Sequence, residues 1–233
     1  MYEEKTFVAL IPARAGSVSI KDKNLQKVGS ETILARSIRH AKESKYVDQV
    51  VVSTNGETIK KEAIKRDALI INRPMEISGP VSSTEKAMLH AIEVLPPCDY
   101  VVLLQPTSPF RSDGLIDRCI ERVIKEKADS LIGCWKFHNF CFYQEEEDGE
   151  WVSVYDYVNR PMHEQLDISE FRLFDCGNIY ITKTSCLKAT KCRIGGKIII
   201  EPISLLETIQ IDSLEELETC RHIVGGRIDS SDP

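Results

Sequence analysis

The hydrophobic residues of this chain form short runs that alternate with amphipathic stretches. The runs read FVALIP from Phe7, QVVVS from Gln49, ALII from Ala68, YVVLLQ from Tyr100 and DSLIGC from Asp129. Strands that are apolar throughout are typical of parallel sheets, because helices cover both faces of such sheets. The alternation therefore predicts βα units and an α/β protein.

Helical periodicity fills the stretches between these strands. Apolar residues recur three and four positions apart in 87–95 and in 115–124, which predicts two helices. Three helix starts carry a predicted cap, namely the capping boxes Ser82 to Glu85 and Ser213 to Glu216, and the single residue Ser112. The first 135 residues are therefore predicted to form a three-layer α/β sandwich.

The alternation stops after Trp135. Residues 136–175 are aromatic, acidic and strand-prone, with a turn sequence at Asp148-Gly149, so we expect a β-hairpin excursion from a single domain that spans 1–233. Exposed aromatic residues on a compact domain are typical of subunit contacts, and we expect a homodimer. Two more strands and a helix that ends near Val224 complete the pattern; they start at Asp175, Lys197 and Leu214.

Composition narrows the classes of function. The chain has 233 residues, with 30 basic and 36 acidic side chains and a net charge of −6, so no overall positive field favours nucleic acid or an anionic membrane. Its eight cysteines include no C-x-x-C pair, which favours buried thiols over disulfides or zinc. No apolar run approaches the roughly 18 residues of a membrane span. We therefore expect a soluble cytoplasmic protein.

The loop after the first strand carries the first candidate chemistry. Gly16 lies among polar and cationic residues at the end of a buried strand: Arg14, Ser17, Lys21, Lys23 and Asn24. Backbone N–H groups and cations at such a strand end bind phosphates, and an arginine directly after the strand is held rigidly enough for bidentate contact. A loop with one glycine matches neither the dinucleotide fingerprint nor the Walker loop. We expect a triphosphate here; the alternative is a solvated loop with ordinary surface lysines.

Two further strand ends carry polar loops. The strand from Tyr100 ends in the sequence QPTSPFR, where two prolines stiffen a loop that presents Gln105, Thr107 and Ser108. Arg73 follows the ALII strand, where it can reach a base or a phosphate. The alternatives are a plain strand-to-helix turn and an ordinary surface arginine.

The segment IQIDSLEEL near the end of the chain offers oxygen ligands. Alternation along a strand puts Gln210 and Asp212 on one side, at the point where the predicted strand stops. Such hard oxygen ligands suit Mg²⁺, which takes one or two carboxylates together with substrate phosphates and water. The alternative is that Asp212 only helps to start the next helix. The five histidines lack the spacing of metal ligands.

Six motifs, in their order and spacing, resemble the acylneuraminate cytidylyltransferase family, the CMP-sialic acid synthetases. They are IPARAGSVSIKDKNL, VVSTN, RPMEISGPVSSTEKAMLHAIE, LLQPTSPFR, GNIYIT and IQIDSLEEL, and they cover residues 7 to 224. The related enzymes that activate Kdo share the first loop but lack the QPTSP segment. The resemblance implies a Rossmann-like nucleotidyltransferase with a three-layer α/β/α sandwich and a mostly parallel sheet.

The family implies transfer of CMP from CTP to the anomeric hydroxyl of a nine-carbon 2-keto sugar acid, with release of pyrophosphate and with Mg²⁺ or Mn²⁺ as the metal ion. Carried over by motif, the catalytic residues are Arg14, Lys23 and Asp212. The nucleotide site comprises Arg14, Ala15, Gly16, Ser17, Lys23, Asn24, Arg73, Ser82 and Thr84. The substrate site comprises Gln105, Thr107, Ser108, Arg160 and Tyr180, and the metal site comprises Asp212 and Gln210.

The chain departs from the family pattern at several positions. Val18 stands where the first loop usually has a lysine, and Gln210 replaces the first carboxylate of an I-D-I-D segment. Residues 191–194 read KCRI where sialic acid enzymes commonly carry an aromatic pair, and a lysine near 138–142 is absent. These departures leave open a related acceptor such as legionaminic or pseudaminic acid.

Two other classes of function remain open from the sequence. One is an enzyme that uses another nucleotide or sugar, including a glycosyltransferase on a similar sheet, although such enzymes usually show Asp-x-Asp where QPTSP stands here. The other is a homologue that binds nucleotide without turning it over, which the departures at Val18 and Gln210 suggest.

Overall fold

A seven-stranded mixed sheet organises the chain, whose computed structural model describes residues 1–138, 140–145, 147, 149–160, 162 and 171–229. The strands are β1 (Phe7–Pro12), β2 (Lys27–Val28), β3 (Glu31–Thr32), β4 (Gln49–Thr54), β5 (Leu69–Asn72), β6 (Tyr100–Leu104), β7 (Ser130–His138), β8 (Phe142–Tyr143), β9 (Val152–Ser153), β10 (Phe171–Lys183) and β11 (Ile198–Pro202). The helices are α1 (Ile33–Lys42), α2 (Glu57–Ile64), α3 (Thr84–Val94), α4 (Leu115–Lys125), α5 (Thr184–Thr190) and α6 (Leu214–Asp229). The order in the main sheet is β11-β7-β10-β6-β1-β4-β5.

Helices cover both faces of this sheet, so the predicted three-layer α/β/α sandwich is confirmed. Successive side chains of β1 point to opposite faces. Ala9 and Ile11 pack with α1, α2 and α4 on one face, and Val8 and Leu10 pack with α3 and α5 on the other. Because both faces are buried, the central strands are apolar along their whole length.

The first 135 residues do not complete the sandwich, which corrects the expectation from the sequence. β10 lies antiparallel between β6 and β7, with Ile179 opposite Leu104 and Ile181 opposite Leu131. β11 then pairs in parallel with β7, and the remaining pairs of this sheet are also parallel. Strand propensity marks these late segments as strands, but their place in the sheet depends on contacts between residues far apart in sequence.

Two predicted helix caps are wrong in position. The hydroxyl of Ser83, not Ser82, accepts the hydrogen bond at the start of α3. Gly114, not Ser112, precedes α4, and its φ of +71° is a conformation that glycine adopts without strain. The capping box of α6 at Ser213 to Glu216 is confirmed, because each residue bonds the backbone of the other.

β7 and β10 continue as a paired ribbon beyond the other strands, with His138 opposite Phe171. The excursion expected for 136–175 leaves and returns along this ribbon. Within it β8 and β9 pair antiparallel, as a hairpin requires. Asp148, which belongs to the predicted turn, lies outside the described residues.

All eight cysteines lie within the described residues, and none forms a disulfide, as the sequence predicted. Five of them are buried, whereas Cys98 and Cys141 are partly buried and Cys192 is exposed. No helix within the described ranges is long and apolar enough to cross a membrane.

A buried polar network joins the loop after β6 to β10. The guanidinium of Arg111 donates hydrogen bonds to the carbonyl oxygens of Gln105 (3.0 Å), Ser108 (2.8 Å) and Asn178 (2.8 Å) and to the hydroxyl of Ser37 (3.4 Å). Buried carbonyl groups need such partners, since an unpaired one costs about 1–3 kcal/mol. Arg111 therefore fixes the loop against the middle of the sheet.

The same network reaches the segment before α6. The side-chain amide of Asn178 donates to the carbonyl oxygens of Phe110 (2.8 Å) and Glu207 (2.7 Å). The Glu207 carboxylate in turn accepts from the backbone amides of Ser112 and Ser204, each at 2.8 Å. Burial raises the pKa of Glu207, but these hydrogen bonds outweigh burial and leave the pKa below its usual value. The network thus ties together the loop after β6, the middle of β10 and the segment that precedes α6.

Candidate active site

A cleft of about 490 Å³ opens at the carboxyl ends of β1, β5 and β6. β4 and β5 lie on one side of β1, whereas β6 lies on the other. The cleft therefore sits where the strand order changes direction, which is the usual position of a ligand in an open α/β sheet.

The loop after β1 is ordered by contacts within the protein. The backbone amide of Ala15 donates to the side-chain oxygen of Asn55 at 2.8 Å, and the side-chain amide of Asn24 donates to the Arg14 carbonyl at 3.0 Å. Gly16 has a φ of +71°, so the turn there needs glycine. The Arg14 guanidinium donates to the Gly16 carbonyl at 2.7 Å. The loop thus presents its arginine at the cleft before any ligand arrives.

Three cations share this cleft. Arg14, Lys23 and Arg73 all line it, and Arg73 is only 8% exposed. The Arg73 guanidinium donates to the hydroxyl (3.1 Å) and the carbonyl (2.7 Å) of Ser53. Burial and the neighbouring charge of Arg14 lower the pKa of Arg73 to about 10, so it stays charged at neutral pH. An anion in the cleft would relieve this repulsion.

Asp212 is the one carboxylate among the described residues that line the cleft. Lys23 donates to its Oδ1 at 2.8 Å and to the Ile211 carbonyl at 3.1 Å. The side chain of Asp212 is 64% exposed and that of Lys23 only 13%. The partly buried lysine thus joins the first loop to the segment before α6, while the carboxylate remains accessible from the cleft.

The side chains of Gln105 and Gln210 both lie next to Gly177. Gly177 in β10 has a φ of +67°, and a Cβ there would lie 2.5 Å from Oε1 of Gln105 and 2.6 Å from Nε2 of Gln210. Nε2 of Gln210 also donates to the Cys176 carbonyl. Residues 209–212 are not a strand, which corrects the sequence prediction. Gln210 and Asp212 nevertheless line the same cleft, because the Ile211 amide donates to the Thr107 carbonyl at 2.8 Å.

Few of the described side chains in the cleft could coordinate a metal ion. Among the described residues there is no group of three or more His, Cys, Asp or Glu side chains that could hold a metal ion. Asp212 offers a carboxylate, and Gln210 offers its amide oxygen because its nitrogen is already used as a donor. One or two protein oxygens completed by phosphates and water are what Mg²⁺ takes at nucleotide sites, so the residues present fit that ion.

The cleft brings together most of the residues that the sequence singled out. Those that line it are Arg14, Ser17, Lys23, Asn24, Arg73, Ser82, Thr84, Gln105, Thr107, Gln210 and Asp212. Ala15 and Gly16 line a small adjoining pocket behind Arg14. Within this set, the hydroxyl of Ser82 is buried without a hydrogen-bond partner. The Ser82 hydroxyl therefore does not face the open cleft in this structure.

Three predicted substrate residues do not line the cleft. Ser108 is fully buried, and its hydroxyl donates to the Gly177 carbonyl at 3.3 Å. Tyr180 is 3% exposed and donates its hydroxyl to Asp175 at 2.7 Å. Arg160 lies in the excursion, with its guanidinium 4.4 Å from the centre of the Phe140 ring. The motifs located these residues in the chain but could not show which way their side chains point.

Other residues shape the cleft without having been predicted to do so. Ser19 and Ser83 line its walls. Asn55 and Arg111 act from behind, because Asn55 holds the first loop and Arg111 holds the loop after β6. The position of Asn55 at the carboxyl end of β4 was a signal for its role, whereas the role of Arg111 depends on tertiary contacts.

Comparison with known proteins points to one family. A family model described as cytidylyltransferase matches residues 8–163. An N-acylneuraminate cytidylyltransferase of Oncorhynchus mykiss is 29% identical over 77% of this chain and 41% of its own length. A CMP-N,N'-diacetyllegionaminic acid synthase of Legionella pneumophila is 31% identical over 49% of this chain and 51% of its own length.

The solved structures agree on the fold. A CMP:2-keto-3-deoxy-manno-octonic acid synthetase complexed with CTP superposes with a TM-score of 0.69 over 95% of this chain and 99% of its own, at 13% identity. At that identity the likeness concerns the fold alone. The chain spans less than half the length of the first curated relatives it matches, 27%, 41% and 45%.

We predict that Gly177→Ala damages the cleft more than the fold. The added methyl group displaces the side chains of Gln105 and Gln210, so we expect nucleotide-dependent activity to fall on the order of tenfold to a hundredfold. The positive φ adds a loss of stability of roughly 1 kcal/mol. Steady-state kinetics and denaturant unfolding measure the two effects.

Gly114→Ala is the matched control, because Gly114 has a φ of +71° but lies outside the cleft. It should lose similar stability and keep its activity. Equal activity losses in the two variants would contradict the role given to Gly177.

Proposed function

The chain belongs to the cytidylyltransferase family, and on that premise we propose that it transfers CMP from CTP to the anomeric 2-hydroxyl of a nonulosonic acid, a sialic acid-like sugar, with release of pyrophosphate. The observation that carries this proposal is the convergence of Arg14, Lys23 and Arg73 with Gln105 and Asp212 on one cleft at the switch point of the sheet. Cations for the phosphates and polar groups for the acceptor are both within reach there.

The cations would position and neutralise the triphosphate. In-line transfer of a nucleotidyl group depends mostly on positioning and electrostatic stabilisation. Arg14, Lys23, Ser17 and Asn24 are the proposed partners of the phosphates. The oxygen of the sugar hydroxyl would attack the α-phosphorus while its proton passes to water. The bond between the α-phosphorus and the oxygen that bridges it to the β-phosphate would break, and pyrophosphate would leave with that oxygen. No protein nucleophile is needed, because the acceptor supplies its own.

The base would bind beside Arg73, Ser82 and Thr84. All three residues line the cleft. Pyrimidine edges carry both acceptors and donors, so a fixed guanidinium and two hydroxyl groups provide complementary contacts.

Asp212 and the amide oxygen of Gln210 are the proposed protein ligands of Mg²⁺ or Mn²⁺. A divalent ion bound to phosphates withdraws charge from both the attacking and the leaving oxygens. Lys23 has a second part here, since it holds Asp212 at 2.8 Å and so keeps the carboxylate at the phosphate end of the cleft. Gln210 contributes no charge, so the protein supplies one negative charge to this site.

The relatives named above act on N-acylneuraminic and N,N'-diacetyllegionaminic acids, which supports a nonulosonic acid as the acceptor class. Gln105 and Thr107 line the cleft where the acceptor would bind. Arg193 forms an ion pair with Glu85 of α3, with its Nε 2.5 Å from the carboxylate, so its guanidinium is engaged within the protein. Arg193 would support the wall that contains Thr84 and would not contact the sugar directly.

A homodimer would explain the apolar surface of the excursion. Its exposed large residues are Phe142, Tyr143, Trp151, Val152, Val154, Tyr157, Val158 and Met162, with Leu173 and Phe174 on the adjoining ribbon. Burial of such a patch stabilises association by about 25 cal/mol per Å² of apolar area. Arg160 lies within the excursion and could then reach the acceptor of a partner subunit. The unpaired cysteines suit the reducing cytoplasm that we propose as its location.

We predict that light scattering finds a particle of twice the 26.4 kDa chain mass at micromolar concentration. Trp151→Glu places a charge in the apolar patch and should produce a monomer, whereas Ile64→Glu, at an exposed apolar residue outside the excursion, should leave the dimer intact. A fully active wild-type monomer would refute the dimer proposal.

The proposed reaction predicts pyrophosphate release that requires CTP together with a sugar acid. A panel of N-acetylneuraminic, legionaminic, pseudaminic and 3-deoxy-manno-octulosonic acids, each with CTP, ATP, GTP or UTP, identifies the acceptor and the nucleotide. Arg14→Ala should lower kcat/KM by about 10²-fold, as expected for the loss of a charged phosphate contact worth about 3 kcal/mol. Arg66→Ala, at an arginine outside the cleft, is the control and should leave the kinetics unchanged.

The panel also separates the alternatives. Release with another nucleotide or sugar would reassign the substrate and keep the reaction type. CTP binding by calorimetry without pyrophosphate release from any pair would favour a homologue that only binds nucleotide, for which Val18 and Gln210 are the motivating positions.

The metal proposal predicts that Mg²⁺ binds weakly until CTP is present. One carboxylate offers little to an ion that dehydrates reluctantly, and the triphosphate supplies further oxygens. Asp212→Asn should therefore abolish most of the CTP-dependent Mg²⁺ binding, and Gln210→Asp should tighten it by adding a charge. Isothermal titration of Mg²⁺ with and without CTP measures both effects independently of turnover. Unchanged binding in Asp212→Asn would leave Asp212 as a helix-start residue.

A further inference from the structure

A bulge interrupts β10 beside the cleft. The register of β10 with β7 shifts between Asp175 and Tyr180. A bulge breaks the regular hydrogen-bond ladder and redirects the chain, and bulges are frequent next to active sites. This bulge contains Gly177, next to which the side chains of Gln105 and Gln210 lie. Its shape therefore sets the position of one wall of the cleft.

The side chain of Tyr180 closes this bulge. Its hydroxyl donates to Oδ1 of Asp175 at 2.7 Å, and the same oxygen accepts from the backbone amide of Gly177 at 3.0 Å. Tyr180 is 3% exposed. Burial, followed by the hydrogen bond to Asp175, raises the pKa of Tyr180, so the phenol keeps its proton and donates at neutral pH. The two ends of the bulge are thus joined through one hydroxyl group.

Arg193, from the segment after α5, packs on the ring of Tyr180. Its Cζ lies 5.1 Å from the centre of that ring, which is within the range of a cation–π interaction. The backbone carbonyl of Arg193 also accepts a hydrogen bond from the hydroxyl of Thr182 in β10. Both the side chain and the backbone of Arg193 therefore contact β10.

The same guanidinium contacts the start of α3. Nε of Arg193 lies 2.5 Å from Oε1 of Glu85, and the two side chains are only 22% and 18% exposed. Glu85 belongs to the first turn of α3, directly after Ser83 and Thr84, which line the cleft. Burial raises the pKa of Glu85, but hydrogen bonds, above all the one from Arg193, leave it below its usual value. The pair is therefore charged at neutral pH.

We propose that Arg193 is a positioning residue that couples two walls of the cleft, the start of α3 and the bulge of β10. The inference rests on the proposed function, because it takes these walls to bind CTP and the acceptor. A planar guanidinium can donate to a carboxylate while it stacks on an aromatic ring. Displacement of either wall would break one of these contacts, and a partly buried carboxylate without its partner is costly. The two walls therefore keep a fixed separation.

Two variants remove the same contact with opposite changes in charge. Arg193→Met removes a positive charge, and Glu85→Gln removes a negative one. If the contact positions the cleft, both variants bind CTP more weakly, and we expect the Kd from calorimetry to rise about tenfold in each. If Arg193 acted only through its charge, Arg193→Met would weaken binding of the anionic nucleotide and Glu85→Gln would strengthen it. That opposite pattern, or an unchanged Kd in either variant, would overturn the proposal.

The double variant Arg193→Met with Glu85→Gln should bind CTP no more weakly than either single variant, because all three lose one shared contact. Independent, additive losses would assign the two residues separate roles and contradict the coupling. The matched controls are Arg122→Met and Glu201→Gln, whose ion pair joins α4 to β11 at 2.8 Å and lies outside the cleft. They make the same changes in charge and should leave the Kd for CTP unchanged.

The coupling is also measurable without substrate, in amide NMR spectra of the folded protein. Tyr180→Phe keeps the ring beneath Arg193 and removes the hydroxyl that closes the bulge, so it should shift the amide resonance of Gly177. Glu85→Gln, made in α3, should shift the same resonance, whereas Glu201→Gln should not. A Gly177 resonance that ignores Glu85→Gln would overturn the coupling. Coupled shifts in a wild type that binds no CTP would instead refute the proposed function alone.

Discussion

The architecture depends on how one buried charge is accommodated. Arg111 lies inside the protein, and four of its five N–H donors have acceptors there. Three of these acceptors are carbonyl oxygens from the loop after β6 and from β10, and the fourth is the Ser37 hydroxyl. Because several carbonyl groups share one guanidinium, displacement of either segment would leave buried polar groups unpaired. This constraint holds an antiparallel strand in the middle of an otherwise parallel sheet. It also brings Gly177 against Gln105, and so sets the distance between two walls of the cleft.

The cleft itself is electrostatically incomplete without a ligand. Among the described residues that line the cleft, Arg14, Lys23 and Arg73 are accompanied by one carboxylate, Asp212. The pKa of Arg73 is lowered by its burial and by the neighbouring charge of Arg14. Such a site is costly when empty and is stabilised by polyanions, which is the behaviour expected of a nucleoside triphosphate site. The Lys23 to Asp212 contact relieves part of the imbalance, and it joins the first loop to the last helix of the chain.

The residues proposed for the phosphates, the base and most of the acceptor contacts line the cleft, whereas the excursion is proposed to contribute one acceptor contact from a partner subunit. Two buried clusters of side chains pack against the two faces of the sheet. The excursion between β7 and β10 is instead rich in exposed apolar residues, and Arg160 lies within it. This division lets one scaffold keep its nucleotide chemistry while the acceptor changes, as the different sugars named for its relatives suggest.

Sequence alone determined the layers, most of the strands and the main cleft residues, because hydrophobic periodicity reports burial and because the carboxyl ends of parallel strands must meet at one edge. Arg14, Lys23 and Arg73 were therefore found without a structure, whereas Asp212 was singled out from a strand at 209–212 that the structure does not contain. Only the tertiary structure decided that β10 enters between β6 and β7, that Ser83 and not Ser82 caps α3, and that Tyr180 turns inward to Asp175. The reason is physical: periodicity is a local property of the chain, whereas strand order, side-chain direction and the placement of a buried charge are set by contacts between residues distant in sequence.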